Sequence, residues 1–275
     1  MKKLVLFLSL FLFGIQSAFA ASKGDFEKLF PVLTKESKVK EITPKTTEEL
    51  RQLFENSDKE LPRVFIKNLP ADFSEKGDKK LYAKVIAALV LRENETILNE
   101  RILFLLLKDK ADKGSAWTKQ EEAYFNYLVN KYDSSVLKTI PTKINDLLVK
   151  IDEIPPSLAI AQTAFDTNFG KKNPETPFGQ MGWLDGKTYA PIPYKTLSDA
   201  VKAYVLEMNS TPNYDDWRLE RENQTYQQNQ RSSYYMTSGL RTYRPEDVDY
   251  IEKIKILMNQ NPFIFDMDKI PLKAE

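Results

Sequence analysis

The sequence predicts an α+β fold that is mostly α-helical, and three observations support this prediction. Apolar residues recur every three or four positions through long stretches of the chain, which is the spacing of amphipathic helices. Residues 173–194, by contrast, are rich in glycine, proline and aromatic residues, as expected for a loop with a β-hairpin that turns at Asp185-Gly186. A chain of 275 residues without cysteine is long enough to bury a core without disulfides.

The longest periodic stretch runs from Asp78 to Lys108 without glycine or proline. It predicts a long, buried helix with a kink or break near Asn94. Further helical patterns follow Thr47, Thr118 and Thr142, and others cover residues 198–208 and 245–258.

A helix is also predicted to begin at Pro156. Proline suits the first helical turn, and Gly170 follows the pattern as a terminator. Ala159, Ala161 and Ala164 within this helix are small, so they allow close packing against neighbouring elements.

The first twenty residues are typical of a secretory signal peptide. Lys2 and Lys3 precede an apolar run over 4–13, and residues 18–20 have the A-x-A pattern of a cleavage site. The apolar run is short for a membrane span, and a chain without cysteine offers no site for lipoprotein acylation. We therefore expect cleavage after Ala20 and a soluble protein in the periplasm or cell envelope, without stable membrane insertion.

The composition excludes several classes of function. Neither histidine nor cysteine occurs, so there is no Ser-His-Asp triad, no cysteine nucleophile and no Cys/His zinc site. The 40 basic and 39 acidic residues nearly balance, which argues against a nucleic-acid binder and against electrostatic attachment to a membrane. The remaining carboxylates, hydroxyls, tyrosines and lysines suit glycoside hydrolysis better than acyl transfer. No metal or cofactor is expected.

Asp166 is the most informative single residue. It falls in the last turn of the predicted Pro156 helix, where unpaired carbonyls are partly negative and an anion costs about 0.3 to 1 kcal/mol. This field, together with burial against Phe165 and Phe169, is expected to raise the pKa of the carboxyl. A carboxyl that keeps its proton is what a glycosidase general acid requires. The alternative is an ordinary aspartate that caps the helix or is solvated at its end.

The residues around Asp166 resemble a known family. Residues 161–170 read A-Q-T-A-F-D-T-N-F-G and are followed by P-F-G-Q at 177–180. This is similar to the A-Q-x-A-x-E-S-x-W-G and L-F-G-Q motifs of the bacterial β-N-acetylglucosaminidase domain, which occurs in flagellar muramidases and autolysins. Residues 209–221 resemble its N-x-x-P-x-Y-x-x-L-R-x-x-R motif, and 239–250 resemble its G-L-x-x-Y ending.

The upstream half resembles one subgroup, the bacterial Bax-type proteins, which are unrelated to the apoptosis factor. The similar residues are L-P-R-V-F at 61–65 and, in the long helix, Asn94, Glu95 and Arg101. These three are polar residues in a mostly apolar helix. We expect them to form structural hydrogen bonds between the two halves of the chain.

The resemblance implies a lysozyme-like domain that hydrolyses the bond after N-acetylglucosamine in the glycan strands of peptidoglycan. Asp166 takes the position of the family's glutamate and would protonate the leaving oxygen, helped by a second carboxylate or by the sugar's acetamido group. Asp185 and Glu175 are the candidates for the second carboxylate, although Asp185 in an Asp-Gly pair is also a common turn residue. Phe169 and Met181 stand where the family has tryptophans.

Several aromatic residues are predicted to line the glycan groove, because the apolar face of a sugar stacks well on a ring. By its place in the family pattern Tyr250 is the first choice, and Phe178 and Gly179 are expected to shape the floor. Packing in the core is the alternative for all of these rings. The predicted groove residues are Phe178, Gly179, Trp183, Tyr189, Tyr214, Tyr243 and Tyr250.

The predicted organisation is a signal peptide at 1–20, a helical N-terminal region at 21–150, a glucosaminidase-like domain at 151–262 and an exposed tail at 263–275. The predicted function is that of an exported peptidoglycan hydrolase. The alternatives are a catalytically impaired relative that binds glycan or a protein in the cell envelope and, with less support, an enzyme that cleaves an amide.

Overall fold

Helices dominate the computed structural model, which describes residues 25–35, 41–184, 188–227, 232–244 and 246–274. Helix accounts for 61% of the structure and the few strands are short, so the prediction of a mostly helical α+β fold is confirmed. The predicted signal peptide lies outside the described residues. Within these ranges, no helix combines the length and the apolar character needed to cross a membrane.

The first half of the chain is built around one long helix. Two short strands, β1 (Glu41–Ile42) and β2 (Phe65–Ile66), pair in parallel, with Glu41 opposite Phe65. In chain order the elements are α1 (Asp25–Leu33), β1 (Glu41–Ile42), α2 (Thr47–Leu53), β2 (Phe65–Ile66), α3 (Phe73–Lys76), α4 (Lys79–Asp112), α5 (Lys119–Lys131) and α6 (Ile140–Lys150).

Helix α4 runs without interruption for 34 residues, so the break that the sequence allowed near Asn94 does not occur. The side chain of Asp78 caps its first turn by accepting a hydrogen bond from the Leu81 amide at 2.9 Å. Asn94 leaves the helix intact because its side chain bonds to another segment: its amide nitrogen donates to the Ile154 carbonyl, and its oxygen accepts from the Ile154 amide. An asparagine that is satisfied in this way does not compete for the helix backbone.

The second half consists of shorter helices and one hairpin. The strands β3 (Met181–Leu184) and β4 (Thr188–Pro191) pair antiparallel, with Met181 opposite Pro191, which confirms the predicted hairpin. The turn of the hairpin at 185–187 lies outside the described residues. The elements are α7 (Pro156–Thr167), β3 (Met181–Leu184), β4 (Thr188–Pro191), α8 (Leu197–Ser210), α9 (Asp215–Gln227), α10 (Ser233–Met236), α11 (Tyr250–Gln260) and α12 (Phe263–Asp266), with 3-10 turns at Pro212–Tyr214, Thr237–Gly239 and Met267–Lys269.

Helix α7 lies at the centre of this half and contacts α4, α11 and α12. Its residues Ala159, Ala161 and Ala164 are buried, so the small side chains allow the close packing that the sequence predicts. Pro155 precedes the helix and has no side-chain hydrogen bond to offer its first turn. Asp268 takes over this role from a distant part of the chain, since it accepts a bond from the Ser157 amide at 2.8 Å.

Residues 263–275 do not form the predicted exposed tail. Ile264 is fully buried and Met267 is 5% exposed, because their spacing of three places both on one face of a helical segment that packs against the core. The chain then bonds to Leu61, whose amide donates to the Pro271 carbonyl at 2.8 Å and whose carbonyl accepts from the Lys273 amide at 2.9 Å. The C-terminal segment is therefore part of the fold.

Side chains from both halves of the chain form hydrogen bonds to the segment that connects the halves. Arg101 on α4 donates to the carbonyls of Leu148 and Ile151. Arg221 on α9, which is 1% exposed, donates to three carbonyls between residues 149 and 153 and to Asn209. The second arginine of the 209–221 motif therefore has a structural role, and the predicted structural role of Arg101 is confirmed.

Candidate active site

Asp166 lies in the last turn of α7, directly before a tightly wound segment. Asn168, Phe169 and Gly170 all have left-handed backbones, with φ of 49°, 57° and 77°. Such a conformation is strained for a bulky residue such as Phe169. The segment turns the Phe169 ring into the core, where it is 3% exposed and meets Tyr82 edge to face at 6.2 Å. The residue at the family's tryptophan position is therefore a core residue here.

The carboxyl of Asp166 is enclosed by Arg244 and Gly179. Its side chain is 8% exposed, and its Oδ1 accepts a hydrogen bond from Nη2 of Arg244. Oδ2 is buried and has no hydrogen-bond partner among the described residues. Gly179 has a φ of 56°, and a Cβ there would collide with Nη2 of Arg244 and lie 3.2 Å from Oδ2 of Asp166. Only a glycine lets these two charged groups meet at this point.

Burial raises the pKa of Asp166 to about 6, while the charge and hydrogen bond of Arg244 act in the opposite direction. The direction agrees with the sequence prediction, but desolvation is its main cause. Near neutral pH the carboxyl therefore exists in both protonation states. An acid with this property is suited to donate a proton and later to take one back.

The predicted groove aromatics form a closed cluster instead of an open surface. Tyr250 stacks on Tyr243 at 5.5 Å, and Tyr243 meets Tyr214 at 5.7 Å. Phe178 is 1% exposed and stacks on Tyr204 at 4.2 Å. Tyr214 and Tyr250 are buried as well, so the structure contradicts the stacking role predicted for Phe178, Tyr214 and Tyr250. Neighbouring rings cover the faces of these side chains in the core, so the faces are not available to a sugar.

Two predicted residues keep a position beside Asp166. Gly179 is half-buried and lies beside the carboxyl, since a Cβ there would be 3.2 Å from Oδ2 of Asp166. Its role as a floor residue of a glycan groove stays a prediction. Tyr243 is half-buried, and its hydroxyl donates to the Phe178 carbonyl at 2.8 Å, which ties the segment before Gly179 to the tyrosine cluster.

Of the two predicted second carboxylates, the structure describes only Glu175. Asp185 lies outside the described residues, as do the side chains of Trp183 and Tyr189 on the hairpin. Glu175 is exposed in the loop after α7, and within the described ranges no hydrogen bond or ion pair joins it to Asp166.

Glu207 is a carboxylate beside the segment of Gly179 and Gln180 that the sequence reasoning missed. From α8, its Oε1 accepts from the Tyr214 hydroxyl at 3.2 Å and its Oε2 accepts from Nε2 of Gln180, the residue after Gly179. Gln180 is 7% exposed and its Oε1 has no partner among the described residues. One feature of the sequence could have found Glu207. It lies three residues after the buried Tyr204, which places the two side chains on the same face of the helix.

The comparisons with known proteins give no relative. No family model, no curated protein and no solved structure matches this chain. The geometry around Asp166 is therefore what bears on function.

Two cavities in the described part of the chain lie away from Asp166. One, of about 460 Å³, lies between the end of α4, the segment 115–117 and the start of α6, and is lined mainly by apolar residues such as Trp117 and Ile140. A second, of about 310 Å³, lies beside Gly170 and Lys172. Neither is lined by Asp166. In the part of the chain that the structure describes, no group of three or more acidic side chains is placed to hold a metal ion.

Proposed function

We propose that the protein is an exported peptidoglycan hydrolase of the β-N-acetylglucosaminidase type, with Asp166 as its general acid. The observation that carries the proposal is the enclosed carboxyl at the end of α7, whose burial raises its pKa to about 6. The motif around it resembles the acid motif of that family. The arrangement of an acid-bearing helix followed by the β3–β4 hairpin supports a lysozyme-like organisation of this half.

The chemistry follows from the two protonation states of Asp166. The protonated carboxyl gives its proton to the glycosidic oxygen as the bond to the anomeric carbon breaks. The carbon is then attacked by water or by the oxygen of the sugar's own acetamido group. A water molecule that completes the reaction returns a proton to Asp166.

The second carboxylate has two candidates. Asp185 remains a proposal because it follows β3 in the hairpin. Glu207 is added by the structure, since it holds the side chain of Gln180 next to Gly179. Assistance by the acetamido group needs neither of them as a nucleophile.

The second candidate function is a catalytically impaired module that binds glycan or a partner protein in the cell envelope. The ion pair between Arg244 and Asp166 favours it, because it occupies one carboxyl oxygen and stabilises the form that has no proton to give. An aspartate also reaches about 1.5 Å less far than the family's glutamate, and misplacement by about 1 Å costs up to a hundredfold in rate.

Digestion of peptidoglycan distinguishes the two functions. We expect the wild type to release fragments that end in N-acetylglucosamine, identified by mass spectrometry, and Asp166→Asn to release none. Asp199→Asn is the matched control, because Asp199 is exposed at the start of α8. If the wild type releases nothing but binds glycan, and Asp166→Asn binds within a few-fold of it, the binding module is the correct function.

A further inference from the structure

Arg244 lies between two carboxylates that differ in exposure. Its Nη2 donates to Oδ1 of the buried Asp166, and its Nη1 is 4.0 Å from Oε1 of Glu246, whose side chain is 69% exposed. The same guanidinium group passes over Gly179, where a Cβ would collide with it. With its side chain 24% exposed, Arg244 therefore covers the acid and also has a solvent-exposed second partner.

The pair with Asp166 depends on the charge of that carboxyl. A general acid must be protonated before it acts, and a protonated Asp166 no longer compensates the charge of Arg244. Arginine stays charged at every pH at which Asp166 titrates. Once Asp166 is neutral, the partly buried guanidinium of Arg244 therefore needs another anion. Glu246 is exposed and already lies 4.0 Å from Nη1 of Arg244.

The other ionisable groups near this point do not take that role. The charge of Asp166 acts on three tyrosines. Burial raises the pKa of all three, so their hydroxyls stay neutral at the pH at which Asp166 titrates. Asp247 is engaged by Lys253, with 2.7 Å between Nζ and Oδ1. The tyrosines are Tyr82 of α4, Tyr243 before α11 and Tyr250 of α11.

We infer that Arg244 is a positioning residue that covers Asp166 and passes to Glu246 when the acid takes up its proton, which opens the site to the glycan. The inference rests on the proposed function of Asp166. The exchange of Arg244 between Asp166 and Glu246 couples two requirements for catalysis, because the acid is protonated and the site is uncovered at the same time. The covered state is the one that the structure shows.

Opposite effects of two substitutions test this exchange. We expect Glu246→Gln to slow peptidoglycan cleavage by up to about fivefold, the range of an exposed ion pair, because Arg244 loses its second partner. We expect Arg244→Gln to cleave at least as fast as the wild type at pH 5.5, because the cover is gone. Glu252→Gln removes the same charge from an exposed position in α11 and serves as the control. A folded Arg244→Gln without activity, or a Glu246→Gln that matches the control, would overturn the inference.

A titration without substrate separates this inference from the proposed function. The carboxyl carbon of Asp166 is followed by NMR against pH in the three variants. We expect a higher pKa in Arg244→Gln, a lower pKa in Glu246→Gln and no change in Glu252→Gln. Shifts of this kind in a protein that cleaves no glycan would support the exchange and refute the hydrolase. Normal cleavage, together with an Asp166 pKa that is the same in Glu246→Gln as in the wild type, would refute the exchange and leave the hydrolase standing.

Discussion

At the scale of single residues, the protonation of Asp166 makes stability depend on pH. Burial raises its pKa from the ordinary value of 3.8, which applies to the unfolded chain, to about 6 in the folded protein, so the folded state binds the proton more tightly. The stabilisation is therefore fully present below pH 4 and is lost as the pH rises through 6. A difference of two pKa units corresponds to at most about 3 kcal/mol.

We therefore expect Asp166→Asn to melt at a higher temperature than the wild type at pH 7.5 and at a similar temperature at pH 4. The gain is reduced because Arg244 loses its charged partner. Thermal melts of both proteins across this range, with Asp199→Asn as the control, measure the effect. A variant that is less stable than the wild type only at pH 7.5 would show that the ionised carboxyl stabilises the fold.

Gly179 is a second test at this scale. Gly179→Ala should cost more than the 1 to 2 kcal/mol typical of a left-handed alanine, because its Cβ would also collide with Arg244. Gly114 is a matched control, since its φ is 66° but nothing lies within 4 Å of a Cβ there. Denaturant unfolding should show a larger loss for Gly179→Ala than for Gly114→Ala. Equal losses would mean that the contact with Arg244 and Asp166 is unimportant.

The sequence predicted part of this site and missed the rest for a physical reason. Asp166 was found because a charge in the last turn of an apolar helix is visible in the local pattern. Arg244 was missed because its pairing with Asp166 joins positions 78 residues apart and depends on tertiary packing. Tyr250 was misassigned because its place in the family pattern does not tell whether the ring faces a groove or packs in the core.

At the scale of elements, α7 depends on a cap supplied from the C-terminal segment. Asp268 accepts from both the amide and the hydroxyl of the buried Ser157. We expect Asp268→Ala to destabilise the protein by about 0.5 to 2 kcal/mol, as loss of a helix cap does. Asp266→Ala, at an exposed position two residues earlier, should be nearly neutral. Equal denaturation midpoints for the two variants would contradict the capping role.

The elements were predictable where they are long enough to show a period. Apolar spacing located α4 and α7, because several turns repeat the same pattern. The segment α12 was missed because four helical residues contain a single turn and show no repeat. The break predicted near Asn94 does not occur, because its side chain bonds to Ile154, which lies 60 residues away and could not be foreseen from the local sequence.

At the scale of the whole molecule, the two halves should unfold together. Asn94 and Arg101 from the first half, and Arg221 from the second, all bond to the segment that connects them. We expect one transition in chemical denaturation and no stable fragment in limited proteolysis. A resistant fragment that begins near Ile151 would show that the second half folds by itself.

The dependence of glycan cleavage on pH tests the central claim, that Asp166 is the proton donor, most directly. With kcat/KM measured on peptidoglycan from pH 4 to 8, we predict a decrease above about pH 6, where the free enzyme loses the proton of Asp166. In Asp166→Asn the activity should be absent at every pH. Cleavage that persists in Asp166→Asn with an unchanged pH profile would contradict the assignment of the acid.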